Sequence, residues 1–140
     1  MKILILHGPN LNLLGKRELE IYGTETQKDL FQFIKNKCLN VDLSLFQSNH
    51  EGEIIDKIHD SDGIFDGIVF NPGAFSHYSY AIRDAVSSVN IPIVEVHLSN
   101  LKNREEFRKN LVISDACLFT IIGKGKLGYI EAINKLQENK

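Results

Sequence analysis

Glu95-Val96-His97 closes an apolar run, and period-two alternation puts the carboxyl and the imidazole on the same side of a strand. A carboxylate beside an imidazole holds its orientation and raises its pKa, which suits a general acid working near neutral pH. A structural histidine with satisfied hydrogen bonds is the commoner fate of such a residue, but the strand-end position favours chemistry. The segment from Gly8 to Gly23 is long for a strand-to-helix connection and carries Asn10, Arg17 and Tyr22 among its glycines, the make-up of a lid or binding loop. Asn71-Pro72-Gly73-Ala74 follows an apolar strand and precedes a helix, so its amides and the Asn71 side chain can meet an anion or oxyanion; the same residues also make ordinary turns. His77 beside Ser76, with Arg83 and Asp84 about two turns later, fits either a ligand hydroxyl or a helix cap. Arg104-Glu105-Glu106-Phe107-Arg108 reads as a solvated amphipathic turn, and only its place after His97 raises Arg108 above that default.

Other chemistries lack their residues. No lysine occupies a strand end where a desolvated amine would form a Schiff base, since Lys124 and Lys126 lie in a glycine loop. No Cys, His or carboxylate cluster has metal-ligand spacing, and neither G-x-G-x-x-G after the first strand nor a Walker motif is present. The chemistry expected is therefore that of side chains and water, with no cofactor and no metal. Cys38 and Cys117 lack C-x-x-C spacing and read as buried, reduced thiols.

The elements that must position these groups alternate in type. Apolar runs at Lys2–His7, Val41–Gln47, Gly67–Asn71, Ile93–His97 and Leu118–Ile122 are strand candidates, separated by segments of helical periodicity. Thr24-Glu25-Thr26-Gln27 matches a capping box before Leu30, Phe31, Ile34 and Cys38. Ile54, Ile55 and Ile58 mark a second helix, Ala81, Ile82, Ala85, Val86 and Val89 a third, and Ile130, Ile133 and Leu136 the last, with a short charged helix over Asn103–Leu111. Five βα units predict an α/β fold, a flavodoxin-like doubly wound five-stranded parallel sheet with helices on both faces, whose ligand lies outside the carboxyl ends of the strands. The polar exits His7-Gly8-Pro9-Asn10, Gln47-Ser48-Asn49-His50, Asn71-Pro72-Gly73-Ala74, His97-Leu98-Ser99-Asn100 and Gly123-Lys124-Gly125 all fall there.

A chain of 140 residues, with no repeat or linker, predicts a single catalytic domain over residues 1–140. A net charge of −2 offers no basic field for nucleic acid. The apolar stretch within Met1–Leu6 is too short for a signal core or membrane span, so a cytoplasmic protein is expected.

Taken together, Gly8-Pro9-Asn10-Leu11-Asn12 with Arg17, Tyr22 and Gly23, Asn71-Pro72-Gly73-Ala74, Glu95-Val96-His97-Leu98-Ser99-Asn100 and Arg104-Glu105-Glu106-Phe107-Arg108 resemble the type II 3-dehydroquinate dehydratases from Lys2 to about Leu136. The resemblance implies anti elimination of water from 3-dehydroquinate through an enolate, giving 3-dehydroshikimate in the shikimate pathway. It implies Tyr22 as base, with the lid residue Arg17 helping to ionise a phenol whose ordinary pKa is about 10. It further implies Asn10 holding a water that donates to the enolate, and His97, oriented by Glu95, as acid aided by Asn71. The backbone amides of Leu98 and Ser99, with Asn71, His77 and Arg108, are the implied substrate contacts, and Asp84 reaches a neighbouring subunit's site in an assembly of trimers stacked into a dodecamer. Leu19 stands where many members have proline, which predicts a more flexible lid, and Lys109-Asn110-Leu111-Val112 replaces a common His-Ser stretch. The competing expectation is a non-catalytic flavodoxin-like module binding a phosphate, flavin or protein at the same edge.

Overall fold

The computed structural model describes residues 1–140. The parallel sheet comprises β1 (Lys2–His7), β2 (Asp42–Gln47), β3 (Gly67–Asn71), β4 (Ile93–His97) and β5 (Phe119–Ile122), in the spatial order β2-β1-β3-β4-β5. Val41 and Leu118, expected inside strands, lie one residue outside them. The interior strands β3 and β4 are buried along their whole length, as their runs Gly67-Ile68-Val69-Phe70-Asn71 and Ile93-Val94-Glu95-Val96-His97 require, whereas the edge strands β2 and β5 keep solvent on part of their length.

The pleat sorts β1 between two cores. Ile3 and Ile5 join Leu30, Ile34, Val69, Val94, Ile133 and Leu136 beneath α2 (Gln27–Lys37) and α5 (Leu127–Glu138). Leu4 and Leu6 join Ile54, Ile58, Ile68, Phe70, Ile82 and Val86 beneath α3 (Glu51–Ser61) and α4 (Tyr80–Ser88). Each such aliphatic side chain stabilises the fold by roughly 1.5–3 kcal/mol relative to exposure. Helices thus cover both faces, and the fold is the expected flavodoxin-like α/β arrangement. The strand order reverses between β1 and β3, which opens a crevice at their carboxyl ends.

Several local expectations change. The capping box is built two residues late: Thr26 is the N-cap, its hydroxyl accepting from the Asp29 N–H (3.1 Å) while the Asp29 carboxylate accepts from the Thr26 N–H (3.0 Å). Gln27, the expected partner of Thr24, instead turns its side chain to His7. The fourth βα unit has no α-helix, because Arg104 is extended and interrupts two 3₁₀ turns, Leu101–Asn103 and Glu106–Lys109. His77 does not begin the third helix; it ends a 3₁₀ turn over Gly73–His77, and Ser79 caps α4 by accepting from the Ile82 N–H (3.1 Å). Cys38 and Cys117 are half-buried and unpaired, and burial pushes both thiols up. No helix is long and apolar enough to cross a membrane.

Candidate active site

The loops leaving β1 and β3 lie backbone against backbone. A Cβ on Gly8 would stand 2.2 Å from the Pro72 carbonyl oxygen, and Gly73, at φ +60°, would bring one within 2.9 Å of the Pro9 oxygen. That contact holds Asn10 and Asn71 at one cavity. Asn10 is itself left-handed (φ 69°), a conformation asparagine tolerates, and its N–H donates to Asn49 Oδ1 (2.9 Å). Gln47 Nε2 donates to that same oxygen (3.0 Å) and to the Gly8 carbonyl (3.2 Å), tying the β2 exit to the β1 loop.

The structure brings Asn10, Arg17, Tyr22, Asn71, His77, His97, Leu98, Ser99 and Arg108 to the wall of this cavity. Glu95 stands directly behind it, fully buried, and Asp84 lies exposed on α4, away from it. No group of three or more His, Cys, Asp and Glu side chains is placed to hold a metal ion.

One wall is built from the end of β4. His97 Nε2 donates to Glu95 Oε1 (2.8 Å), and the His97 ring lines the cavity with Nδ1 free of any protein partner. Ser76 Oγ donates to the same carboxylate oxygen (2.8 Å) and Ser114 Oγ to the other (2.6 Å). Burial alone would push the Glu95 carboxyl up, but His97, Ser114 and Ser76 outweigh it and hold it below the usual carboxylate range. The His77 ring stacks on that of His97 (centroids 6.4 Å apart) and donates from Nδ1 to the Asn110 carbonyl (3.0 Å). Burial pushes the His77 imidazole down, with His97 and Arg108 adding to the effect.

The facing wall comes from the long loop. Residues Leu19–Tyr22 form a single helical turn, α1, which aims the Tyr22 ring beneath the Arg17 guanidinium (4.8 Å from Cζ to the ring centroid). Arg104 Nη1 donates to the Tyr22 hydroxyl oxygen (2.9 Å) and to Ser99 Oγ (3.1 Å), while Nη2 donates to Glu18 Oε2 (3.1 Å). Desolvation works against the Arg104 charge, but Tyr22, Glu18 and Glu105 more than compensate and push its pKa up. Two cations therefore lie where negative charge on the phenol oxygen would be stabilised.

Arg104 is the residue that sequence reasoning left among the solvated charges. Its partners Tyr22 and Glu18 lie 82 and 86 positions away, beyond any local pattern, and the one available signal was its place in the β4 exit beside Arg108. Arg108 is held by Glu105, one turn earlier. The divergent stretch after it is pinned: Val112 N–H donates to the Ser76 carbonyl (2.8 Å), and Arg83 Nη1 donates to the Val112 carbonyl (2.8 Å). Leu98 and Ser99 line the cavity, and their N–H groups make no hydrogen bond within the protein.

The chain is similar to proteins of known family. The family model described as dehydroquinase class II matches residues 1–137. A protein of Caldicellulosiruptor saccharolyticus named 3-dehydroquinate dehydratase is 55% identical over 140 residues, covering 98% of this chain and 97% of that protein. Another of that name from Bacillus subtilis is 55% identical over 137 residues, covering 95% and 91%. The crystal structure of a type II dehydroquinase from Butyrivibrio crossotus superposes with a TM-score of 0.94 at 52% identity, covering 98% of this chain and 97% of that one.

Proposed function

The chain belongs to the class II dehydroquinase family, and on that premise we propose that it dehydrates 3-dehydroquinate to 3-dehydroshikimate by anti elimination, with Tyr22 as base and His97 as acid. The observation that carries the assignment is that a phenol under two guanidinium groups and an imidazole backed by a buried carboxylate line one cavity.

The ionised Tyr22 oxygen takes a proton from the carbon beside the ketone. The C–H electron pair becomes the enolate, and Asn10 holds the water that donates to the enolate oxygen. Collapse of the enolate forms the carbon–carbon double bond and breaks the bond to the β-hydroxyl, which leaves as water with the proton from His97 Nδ1. Glu95 stabilises the imidazolium through Nε2, so the proton is available on the cavity side. Asn71 donates to the departing oxygen. The substrate carboxylate and ring hydroxyls take the free N–H groups of Leu98 and Ser99 with His77 and Arg108. Base and acid on opposite walls suit anti geometry, and every step uses side chains and water, with no cofactor. Asp84, exposed on α4, serves the site of a neighbouring subunit in a homo-oligomer built from trimers. The alternative of a non-catalytic module draws no support from relatives named as dehydratases.

Dehydration creates a conjugated enone, so purified protein given dehydroquinate is expected to produce a rise in ultraviolet absorbance. No rise would sink the reading. Tyr22→Phe deletes only the ionisable oxygen and is expected to abolish turnover with the fold intact; retained activity moves the base elsewhere.

A further inference from the structure

A continuous line of polar groups runs from the cavity wall into the core beneath α5. Asn71 Nδ2 lies 3.1 Å from the Tyr129 hydroxyl, that hydroxyl 2.9 Å from His7 Nε2, and His7 Nδ1 2.7 Å from Gln27 Oε1 at the start of α2. Tyr129 is wholly buried in a cluster whose other buried members are aliphatic, and His7 is nearly as buried. A phenylalanine would fill the same space without the cost of burying a hydroxyl, so the oxygen calls for an explanation.

The line can run in one direction only. The Gly73 N–H donates to Asn71 Oδ1 (3.1 Å), which leaves the amide nitrogen facing Tyr129. An amide nitrogen donates and does not accept, so the Tyr129 oxygen accepts from it and keeps one proton to give. His7 Nε2 takes that proton, and Nδ1–H then donates to Gln27. Were His7 reversed, Tyr129 would accept from both neighbours and its own proton would have no acceptor. Burial brings the His7 imidazole down to about 4 and pushes the Tyr129 phenol up, so both stay neutral in the form the line requires. With Oδ1 turned to the Gly73 N–H and one Nδ2 hydrogen given to Tyr129, the Asn71 nitrogen has a single hydrogen left for the cavity it lines.

We propose that Tyr129, backed by His7, is a positioning residue that holds the Asn71 amide so that its second Nδ2 hydrogen is left for the cavity, and the substrate atom that meets this nitrogen must be an acceptor oxygen. The inference rests on the dehydratase reading for its kinetic consequence, but not for its structural one. Tyr129→Phe is expected to lower kcat/KM by about 3- to 10-fold, the usual effect of one hydrogen bond. The same substitution in an Asn71→Ala background is expected to change kcat/KM by less than about 1.5-fold, because its route of action is gone. An equal loss in both backgrounds makes Tyr129 merely structural and overturns the proposal, as does wild-type kinetics in the single variant. Should Tyr129→Phe fold poorly, His7→Leu enters the same cycle, with His7→Gln, which restores an acceptor, expected to recover activity. An activity-independent readout separates this idea from the dehydratase reading. In nitrogen-15 spectra the Asn71 side-chain amide is expected to exchange slowly in the wild type and at least about 10-fold faster in Tyr129→Phe. Unchanged exchange defeats the positioning role even if the wild type turns over nothing.

Discussion

The two walls of the cavity are held by different physics. On the His97 wall a fully buried carboxylate is gripped by two serine hydroxyls and an imidazole, all on or against the β4 end. On the Tyr22 wall the grip is a guanidinium shared among a phenol, a serine and Glu18, whose side chain is 43% exposed and whose backbone is left-handed (φ 36°). The first wall forms when the core forms and is shielded from salt. The second joins a buried guanidinium, its side chain 7% exposed, to a carboxylate at the surface of a loop, and is the more open to screening by ions. On the proposed mechanism, an acid that must hold one orientation sits on the rigid part, and a base that must meet incoming substrate sits on the part least costly to rearrange.

The largest effect expected is on chemistry. His97→Ala is expected to cost about 10²–10⁴ in kcat, the normal range for losing a general acid, with KM little changed. Steady-state assays following enone absorbance test it, and unchanged kcat would reduce the β4 wall to scaffolding. Glu95→Gln probes the same wall one layer back. Replacing a buried acceptor that serves three donors is expected to lower stability by about 2 kcal/mol or more, read by thermal or denaturant unfolding, with the loss unaffected by added salt. A loss that disappears in salt would place Glu95 with the surface charges.

A smaller effect follows from His7, which shares the buried character of the first wall. Its folded imidazole titrates at about 4, below the ordinary 6.5, so on acidification the unfolded chain takes up the proton first. Stability from this group is full above about pH 6.5 and is lost as pH falls toward about 4, reaching about 2 kcal/mol by pH 5. Unfolding measured at pH 7 and pH 5 is expected to show this slope in the wild type and a flatter one in His7→Gln. Equal slopes would exclude His7 as the source.

The contrast between the walls also decides what could be read in advance. Glu95 and His97 were legible because a strand repeats every two residues, and the β1, β3 and β4 boundaries followed from apolar runs buried on both faces. Tyr22, Arg17 and Asn10 stood out by the length and composition of their loop, but their roles came only through family resemblance, since a loop has no period from which direction can be inferred. Arg104 escaped because its charge run satisfies a helical pattern, and only the fold turns it toward Tyr22. Ser76, Ser114 and Tyr129 escaped because a small hydroxyl or a core aromatic carries no local mark of the buried partner it serves.

The smallest expected effect separates the walls most cleanly. Glu18→Gln keeps the backbone carbonyl that accepts from the Ile21 and Tyr22 N–H groups and removes only the charge that faces Arg104 at 3.1 Å and Arg17 at 3.4 Å. With one partner at the surface, the pair is expected to contribute about 1 kcal/mol, so stability should change little. What should change is the hold on Arg104, and through it on Tyr22: KM is expected to rise about 2- to 3-fold at low ionic strength, with the difference vanishing near 0.5 M salt as screening dissolves the pair in the wild type. A loss as large and as salt-independent as that of Glu95→Gln would mean that the Tyr22 wall is as rigid as the other, because a desolvated pair keeps its strength in salt and a solvated one does not.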